Sequence, residues 1–198
     1  MKNERTLVII KPDGVQRSLI GEVIKRFERV GLKLIALKMS IPSAETVERH
    51  YTNDPEWLRK VGEKTIEGYK AKNVKPPSDD PIENGKNVLR RLSRYMKSGP
   101  VILLIWQGAH AVKIVRKIIG STEPLNSDVG TIRGDFVVDS YVLSGADDRA
   151  VRNIVHASGS TSEAEDEIKI WFDPDEIYNY RLIQDAILYD VNLDGIFE

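Results

Sequence analysis

The chain begins with a short apolar stretch that stops abruptly. Thr6-Leu-Val-Ile-Ile-Lys11 is rich in β-formers and ends at Pro12-Asp13-Gly14, which reads as a buried strand closed by a turn. Helical spacing follows in Ile20, Val23, Ile24 and Phe27, with Gly31 ending that helix. Leu32–Ile41 reads as a second strand, and Ser43-Ala-Glu-Thr46 opens a short helix to about Tyr51. Val101–Trp106 is a third strand, followed by a helix over Ala109–Ile119 with Val112, Val115, Ile118 and Ile119 on one side. Asp135–Val138 is assigned as a fourth strand, and Ser160-Thr-Ser-Glu163 is a capping box opening another helix. The order β-α-β, α, β-α-β defines an α+β chain, and periodicity alone leaves several α+β folds open.

The 198 residues favour one domain over 1–198 with additions. Residues at about 53–86 are polar and breaker-rich around a short helix at Glu56–Lys70, and they read as an insertion. A smaller insertion is expected at about 139–150, and a C-terminal extension from about 174. That extension carries Ile177, Tyr180, Leu182, Ile183, Ile187 and Leu188, too apolar to float free of the body or of a partner subunit. Basic and acidic residues nearly cancel, 29 against 30, so no global field draws the chain to nucleic acid or an anionic membrane. Cysteine is absent, which removes disulfides and thiolate metal sites. No apolar run approaches the ~20 residues of a bilayer span, and no signal-peptide core follows Met1, so a soluble cytoplasmic protein is expected.

His156 carries the most chemical information. It lies in Asn153-Ile-Val-His156-Ala-Ser158-Gly159, where a β-branched run delivers an imidazole to a small-residue turn before an acidic helix. An imidazole titrates near neutrality, so its nucleophilic neutral form is available without strong tuning. Taken alone, it reads first as a hydrogen-bonded histidine at a strand end. Glu167 stands among Glu163, Glu165 and Asp166, and nothing in the spacing singles it out. Lys11 alone is an ordinary exposed lysine, and Arg116 shares a basic helix face with Lys113 and Lys117. Arg133 lies between Gly130 and Gly134, where small neighbours permit close approach and a guanidinium fork suits phosphate.

Three segments change that balance: Thr6–Arg17 with Lys-Pro-Asp-Gly-Val-Gln-Arg, Gly130-Thr-Ile-Arg-Gly-Asp-Phe136, and Asn153-Ile-Val-His156. Together with Glu167-Ile-Lys-Ile-Trp-Phe172 and Tyr95-Met-Lys-Ser-Gly-Pro-Val101 they resemble the nucleoside diphosphate kinase family, over roughly 1–52, 86–138 and 151–175. The resemblance implies a ferredoxin-like split βαβ sandwich, with a four-stranded antiparallel sheet covered by helices. It implies transfer of the terminal phosphate of a nucleoside triphosphate to a nucleoside diphosphate through a phosphohistidine on His156. Glu167 would fix the tautomer, with Tyr51 and Ser158 near the histidine. Lys11, Arg116, Thr122 and Arg133 would hold phosphate, Asn153 the ribose, and Leu92 the base. Val88 aligns with the family's stacking aromatic, which leaves the base contact open.

The resemblance also implies Mg²⁺ bound with the nucleotide and a homo-oligomer built from dimers. No protein-built metal cage is expected, although Asp13 lies nearby. Leu34 and Ala36 on the edge strand Leu32–Ile41 are candidates to pair with a symmetry mate. Arg152 reads as structural, His50 as packing a helix end, and His110 as a surface helix residue. Ala157 and Gly159 depart from the family's usual Gly-Ser-Asp turn. If position 157 needs positive φ, alanine is strained there. These departures and the insertions favour one alternative, a catalytically silent nucleotide-binding or scaffold protein. A nucleic-acid-binding module is disfavoured by the charge balance, and no P-loop or protein-kinase motif is present.

Overall fold

A computed structural model describes residues 3–51, 54–71 and 73–189. The central strand β1 (Glu4–Ile10) pairs antiparallel on one side with β3 (Val101–Gly108) and on the other with β4 (Val155–Ala157). β2 (Lys33–Ser40) pairs antiparallel with β3, giving the order β2-β3-β1-β4. This is the expected α+β sandwich.

Side chains alternate across a strand, and both faces of β1 are buried. Val8 and Ile10 join Leu104, Trp106, Phe27, Val23, Val115 and Ile119 in one core, beneath α2 (Ile20–Glu28) and α6 (Ala111–Ile119). Leu7 and Ile9 join Val47, Met96, Leu103, Ile105, Ile168 and Trp171 in the other. That second core lies beneath α3 (Ala44–Tyr51), α5 (Pro81–Met96) and α9 (Thr161–Trp171). Lys11 continues the parity of Leu7 and Ile9. His156 is paired with Ile9, so both project toward the face covered by α3, α5 and α9.

The strand assigned to Asp135–Val138 is incorrect. Ile132–Phe136 is a helix, α7, capped by the Thr131 hydroxyl, which accepts the Gly134 N–H at 3.0 Å. The fourth strand is the three-residue β4, which contains His156 itself. A short apolar run fits strand and buried helix equally, and here the Thr131 cap selects the helix.

α1 (Pro12–Gln16) follows β1 directly, with Pro12 in its first turn, where a missing N–H costs nothing. The described part of the insertion, 54–71 and 73–86, forms most of a helical hairpin, α4 (Pro55–Lys70) against α5. Residues 139–150 hold one short helix, α8 (Tyr141–Ala146). The tail crosses the bulge in β2 between Leu34 and Ala36. There Tyr178 N donates to Ile35 O at 2.9 Å and the Tyr180 hydroxyl to Leu34 O at 2.6 Å. The tail continues through α10 (Gln184–Leu188). Ala36 is buried and Leu34 packs partly on the core. Leu37, Met39 and Ile41 are the exposed apolar side chains of that segment. The end of the C-terminal extension, 190–198, lies outside the described residues.

The α4–α5 crossing needs glycine on both sides. A Cβ on Gly62 would run into the Pro81 carbonyl, and one on Gly85 into the Leu58 carbonyl, whereas Gly68 faces open space. Gly85→Ala should therefore destabilise the protein by about 1–3 kcal/mol. Gly68→Ala should stabilise it by up to ~1 kcal/mol through helix propensity. Thermal unfolding of the two variants separates the effects, and equal shifts would contradict the close crossing.

Candidate active site

The site is built on a strained turn. Ile154 has φ +51°, a left-handed conformation that a β-branched residue adopts only under constraint, at a cost of order 1–3 kcal/mol. Val155 N donates to Asn153 O at 2.6 Å across it, as in a γ-turn. The Lys-Pro-Asp-Gly segment supplies the constraint. Lys11 N donates to Ile154 O at 2.8 Å, and Ile154 N donates to Asp13 Oδ2 at 3.3 Å. Gly14 is needed because a Cβ there would crowd Ile10 and the Ile154 carbonyl. The Tyr95 hydroxyl donates to Asp13 Oδ1 at 2.5 Å. Each oxygen of the Asp13 carboxylate thus accepts one of these hydrogen bonds.

The turn delivers His156 to β4 with its ring facing α9. Its Nε2 lies 2.8 Å from Glu167 Oε1, while Glu167 Oε2 accepts the Ser158 hydroxyl at 2.5 Å. The Ser158 oxygen in turn accepts the Leu7 N–H at 3.3 Å, tying the network to β1. The other acids of this helix face elsewhere. Glu163 accepts the Gly159 N–H at 2.9 Å, Glu165 pairs with Arg5, and Asp166 meets Lys169 at 3.4 Å. The structure thereby singles out Glu167, which sequence spacing could not. Ala157 is buried within β4 and is absent from the residues with positive φ, so the strain considered there does not arise. Gly159 leaves room for the Glu163 carboxylate.

The cations converge on the same point. Burial, and then the charges of Lys11, Arg133 and Arg116, hold the His156 pKa well below the ordinary value of 6.5. Lys11 Nζ donates to Asn153 Oδ1 at 2.7 Å. Burial, with repulsion from Arg133, brings the Lys11 pKa down to about 7, partly offset by Asp13. Arg133 is buried and does not offer the free fork expected of it. Its guanidinium donates to the carbonyls of Asn153, Gly120, Ser121 and Val155 at 2.6–3.2 Å. Four of its five N–H bonds are spent on backbone carbonyls, two in the turn and two at Gly120 and Ser121, so it contributes mainly charge and rigidity. Arg116 is exposed, with Nη1 3.5 Å from Ala157 O. Thr122 is also exposed, and its carbonyl accepts Asn153 Nδ2 at 3.0 Å. Leu92 and Val88 lie half-buried on α5.

Three further residues were not legible in the sequence. Tyr95 lies between two cations, with Arg152 Cζ 4.4 Å and Lys11 Nζ 5.2 Å from its ring centre. His50 does not merely pack a helix end; its ring centre is 4.5 Å from that of His156, nearly perpendicular at 82°. Trp171 Nε1 donates to His50 Nδ1 at 3.2 Å. The Tyr51 hydroxyl is buried beside them with no hydrogen-bond partner among the described residues. Burial, and then the nearby Glu167 charge, raises its pKa. His110 is exposed in the turn that opens α6 rather than within the helix. His50, His156 and Glu167 bring ligand-type atoms within 4.8 Å of one another. However, Lys11, Arg116 and Arg133 oppose a dication there, and the Trp171 N–H already occupies His50 Nδ1.

A neutral imidazole, oriented by a carboxylate and set among fixed cations, is equipped to accept a phosphoryl group. That places the chain among the phosphotransferases. The comparisons narrow the class. The profile described as nucleoside diphosphate kinase matches residues 4–57 and 81–177. A nucleoside diphosphate kinase of Pyrobaculum aerophilum is 47% identical over 181 residues, 89% of this chain and 99% of that protein. A crystal structure of an NDP kinase from the same organism superposes with TM-score 0.87 at 45% identity, covering 89% of this chain and 100% of that one. A transition-state mimic of the Borrelia burgdorferi enzyme, with vanadate and ADP bound, superposes with TM-score 0.77 at 34% identity, over 94% and 97%. The chain belongs to the nucleoside diphosphate kinase family and is a nucleotide-binding phosphotransferase.

The two histidines have a consequence for stability. The His50 pKa is held down at about 3 by burial, then by His156, with Glu167 opposing, and that of His156 is also well below 6.5. The unfolded chain protonates both near 6.5, where the folded chain does not. Stability therefore falls as pH drops below about 6.5, by up to ~1.4 kcal/mol per pH unit for each histidine. Urea unfolding between about pH 7 and pH 5 should show this decline, and His156→Ala should make it shallower. An unchanged slope in the variant would contradict a His156 held neutral in the folded chain.

Proposed function

We propose that His156 carries the phosphoryl group between nucleotides. The observation that carries this reading is the 2.8 Å contact of Nε2 with Glu167 Oε1. An ionised carboxylate accepts only, so the neutral ring keeps its proton on Nε2 and presents the Nδ1 lone pair. Nδ1 attacks the terminal phosphorus of a triphosphate, the N–P bond forms, and the bridging O–P bond breaks to release the diphosphate. Positive charge then developing on the ring is stabilised by Glu167. A second diphosphate reverses the step, giving ping-pong kinetics. Lys11 and Arg116 meet the phosphates, Arg133 adds charge from behind the turn, and Tyr51 supplies a hydroxyl beside the ring. Asn153 is reserved for the ribose, Thr122 for phosphate and Leu92 for the base. Mg²⁺ arrives with the nucleotide as part of the substrate.

The same reading takes residues 1–198 as one domain, with additions at about 53–86, 139–150 and beyond 174, working in the cytoplasm. The balanced charge is in keeping with that placement, and among the described residues no helix is long and apolar enough to cross a membrane. It also takes the unit as a homo-oligomer built from dimers. Exposed Leu37, Met39 and Ile41 support an interface along β2. Light scattering at micromolar protein should give an even multiple of 22.4 kDa, and a stable monomer would contradict the assembly.

The chemical test uses triphosphate labelled in its terminal phosphate. The protein should become labelled in an acid-labile, base-stable form that ADP discharges. His156→Ala should abolish labelling while leaving ADP affinity within about threefold, because the cations and base contacts lie on other residues. Multiple-turnover transfer by His156→Ala would contradict the covalent route. A parent protein that binds nucleotide but never becomes labelled would support the silent alternative.

A further inference from the structure

His50 lies inside the site, yet the mechanism above gives it no role. Its side chain is 1% exposed. Nδ1 accepts the Trp171 Nε1–H at 3.2 Å and lies 3.5 Å from Glu167 Oε1, the oxygen that His156 Nε2 reaches at 2.8 Å. Nε2 is buried with no partner among the described residues. An apolar side chain would fill this space without leaving an orphan polar atom. The imidazole also lies close enough to Glu167 Oε1 to compete with His156 for it.

We infer that Trp171 is a positioning residue for the transfer: its Nε1–H holds His50 as the neutral Nε2–H tautomer and so leaves Glu167 to His156 alone. This inference rests on His156 as nucleophile. The alternatives for His50 show why the tautomer matters. With a proton on Nδ1, His50 would donate toward Glu167 Oε1 and compete with His156 for it. A protonated His50 would take Glu167 as an ion pair, releasing the ring that must attack. The Trp171 N–H occupies the Nδ1 lone pair and closes both routes. Glu167 and Trp171 are four residues apart on one face of α9, so one helix face presents the carboxylate to His156 and locks its competitor.

The charged and titratable groups around His50 are Glu167 from α9, His156 from β4, Lys11 from the end of β1, and Tyr51 from its own helix. Burial, the repulsion of His156 and the charge of Lys11 favour the neutral form, and only Glu167 opposes it. Removing the Trp171 donor takes away the hydrogen bond that favours a free Nδ1 lone pair. Protonation of His50, and loss of Glu167 to it, should then begin at higher pH.

The test measures single-turnover phosphorylation of His156 by ATP from about pH 5 to pH 8, together with ADP affinity. It compares the parent with Trp171→Phe, His50→Asn and the double variant. In Trp171→Phe the acid limb of the rate should move up toward neutrality. The rate at about pH 6 should fall about tenfold, with ADP affinity within about twofold. His50→Asn keeps an acceptor for Trp171 and has nothing to titrate, so it should retain most of the rate. Adding His50→Asn to Trp171→Phe should abolish the shifted limb and recover most of the lost rate. The same acid limb in Trp171→Phe as in the parent, or no recovery in the double variant, would overturn the inference. If the parent is never phosphorylated on His156, the nucleophile reading fails instead.

Discussion

The hydrogen bond between Glu167 and His156 is the interaction on which the rest of the site depends. A histidine has two ring nitrogens, and only one can attack. In the proposed transfer Glu167 decides which one, and the fold in turn fixes Glu167. Its helix packs on β1, its second oxygen takes the Ser158 hydroxyl, and that oxygen is tied to Leu7 in the central strand. Burial raises the carboxylate's pKa, while His50 and the Ser158 bond pull it back. The pair is therefore poised, with a proton held on the ring side and an acceptor ready for charge that appears only during transfer.

Keeping this arrangement costs stability, and the fold absorbs the cost locally. A β-branched residue is held at positive φ, a lysine is buried beside an arginine, and two histidines are kept from protonating. The Lys-Pro-Asp-Gly segment and the Arg133 guanidinium brace the turn that carries the strain. Arg133 closes on four carbonyls from both sides of the site. Transition-state charge can then be met by groups that need not rearrange, which is how positioning accelerates phosphoryl transfer.

The parts legible in the sequence were those governed by local rules. The β1, β2 and β3 runs are apolar and end at Pro, Gly or Ser, and the helices between them keep a clear period. Asp135–Val138 misled because four residues carry too little period to separate strand from buried helix, and the Thr131 cap decided the matter. His156, Lys11 and Arg133 stood out through their motifs, but the bonds of Arg133 could not be read because its four acceptors are backbone carbonyls. Glu167 was indistinguishable from its neighbours by spacing, since their partners Arg5, Lys169 and the Gly159 N–H are revealed only by packing. His50 was invisible for the same reason, because everything that gives it a role lies on α9 and β4.

The central claim concerns one proton and one lone pair, and ¹⁵N NMR of the histidine side chains observes both. Near neutral pH, the resting enzyme should show His156 as a neutral ring with the proton on Nε2 and a free Nδ1. After exposure to ATP, the phosphorus should couple to Nδ1. A resting Nδ1–H tautomer, a protonated His156 at pH 7, or phosphorus on Nε2 would contradict the account.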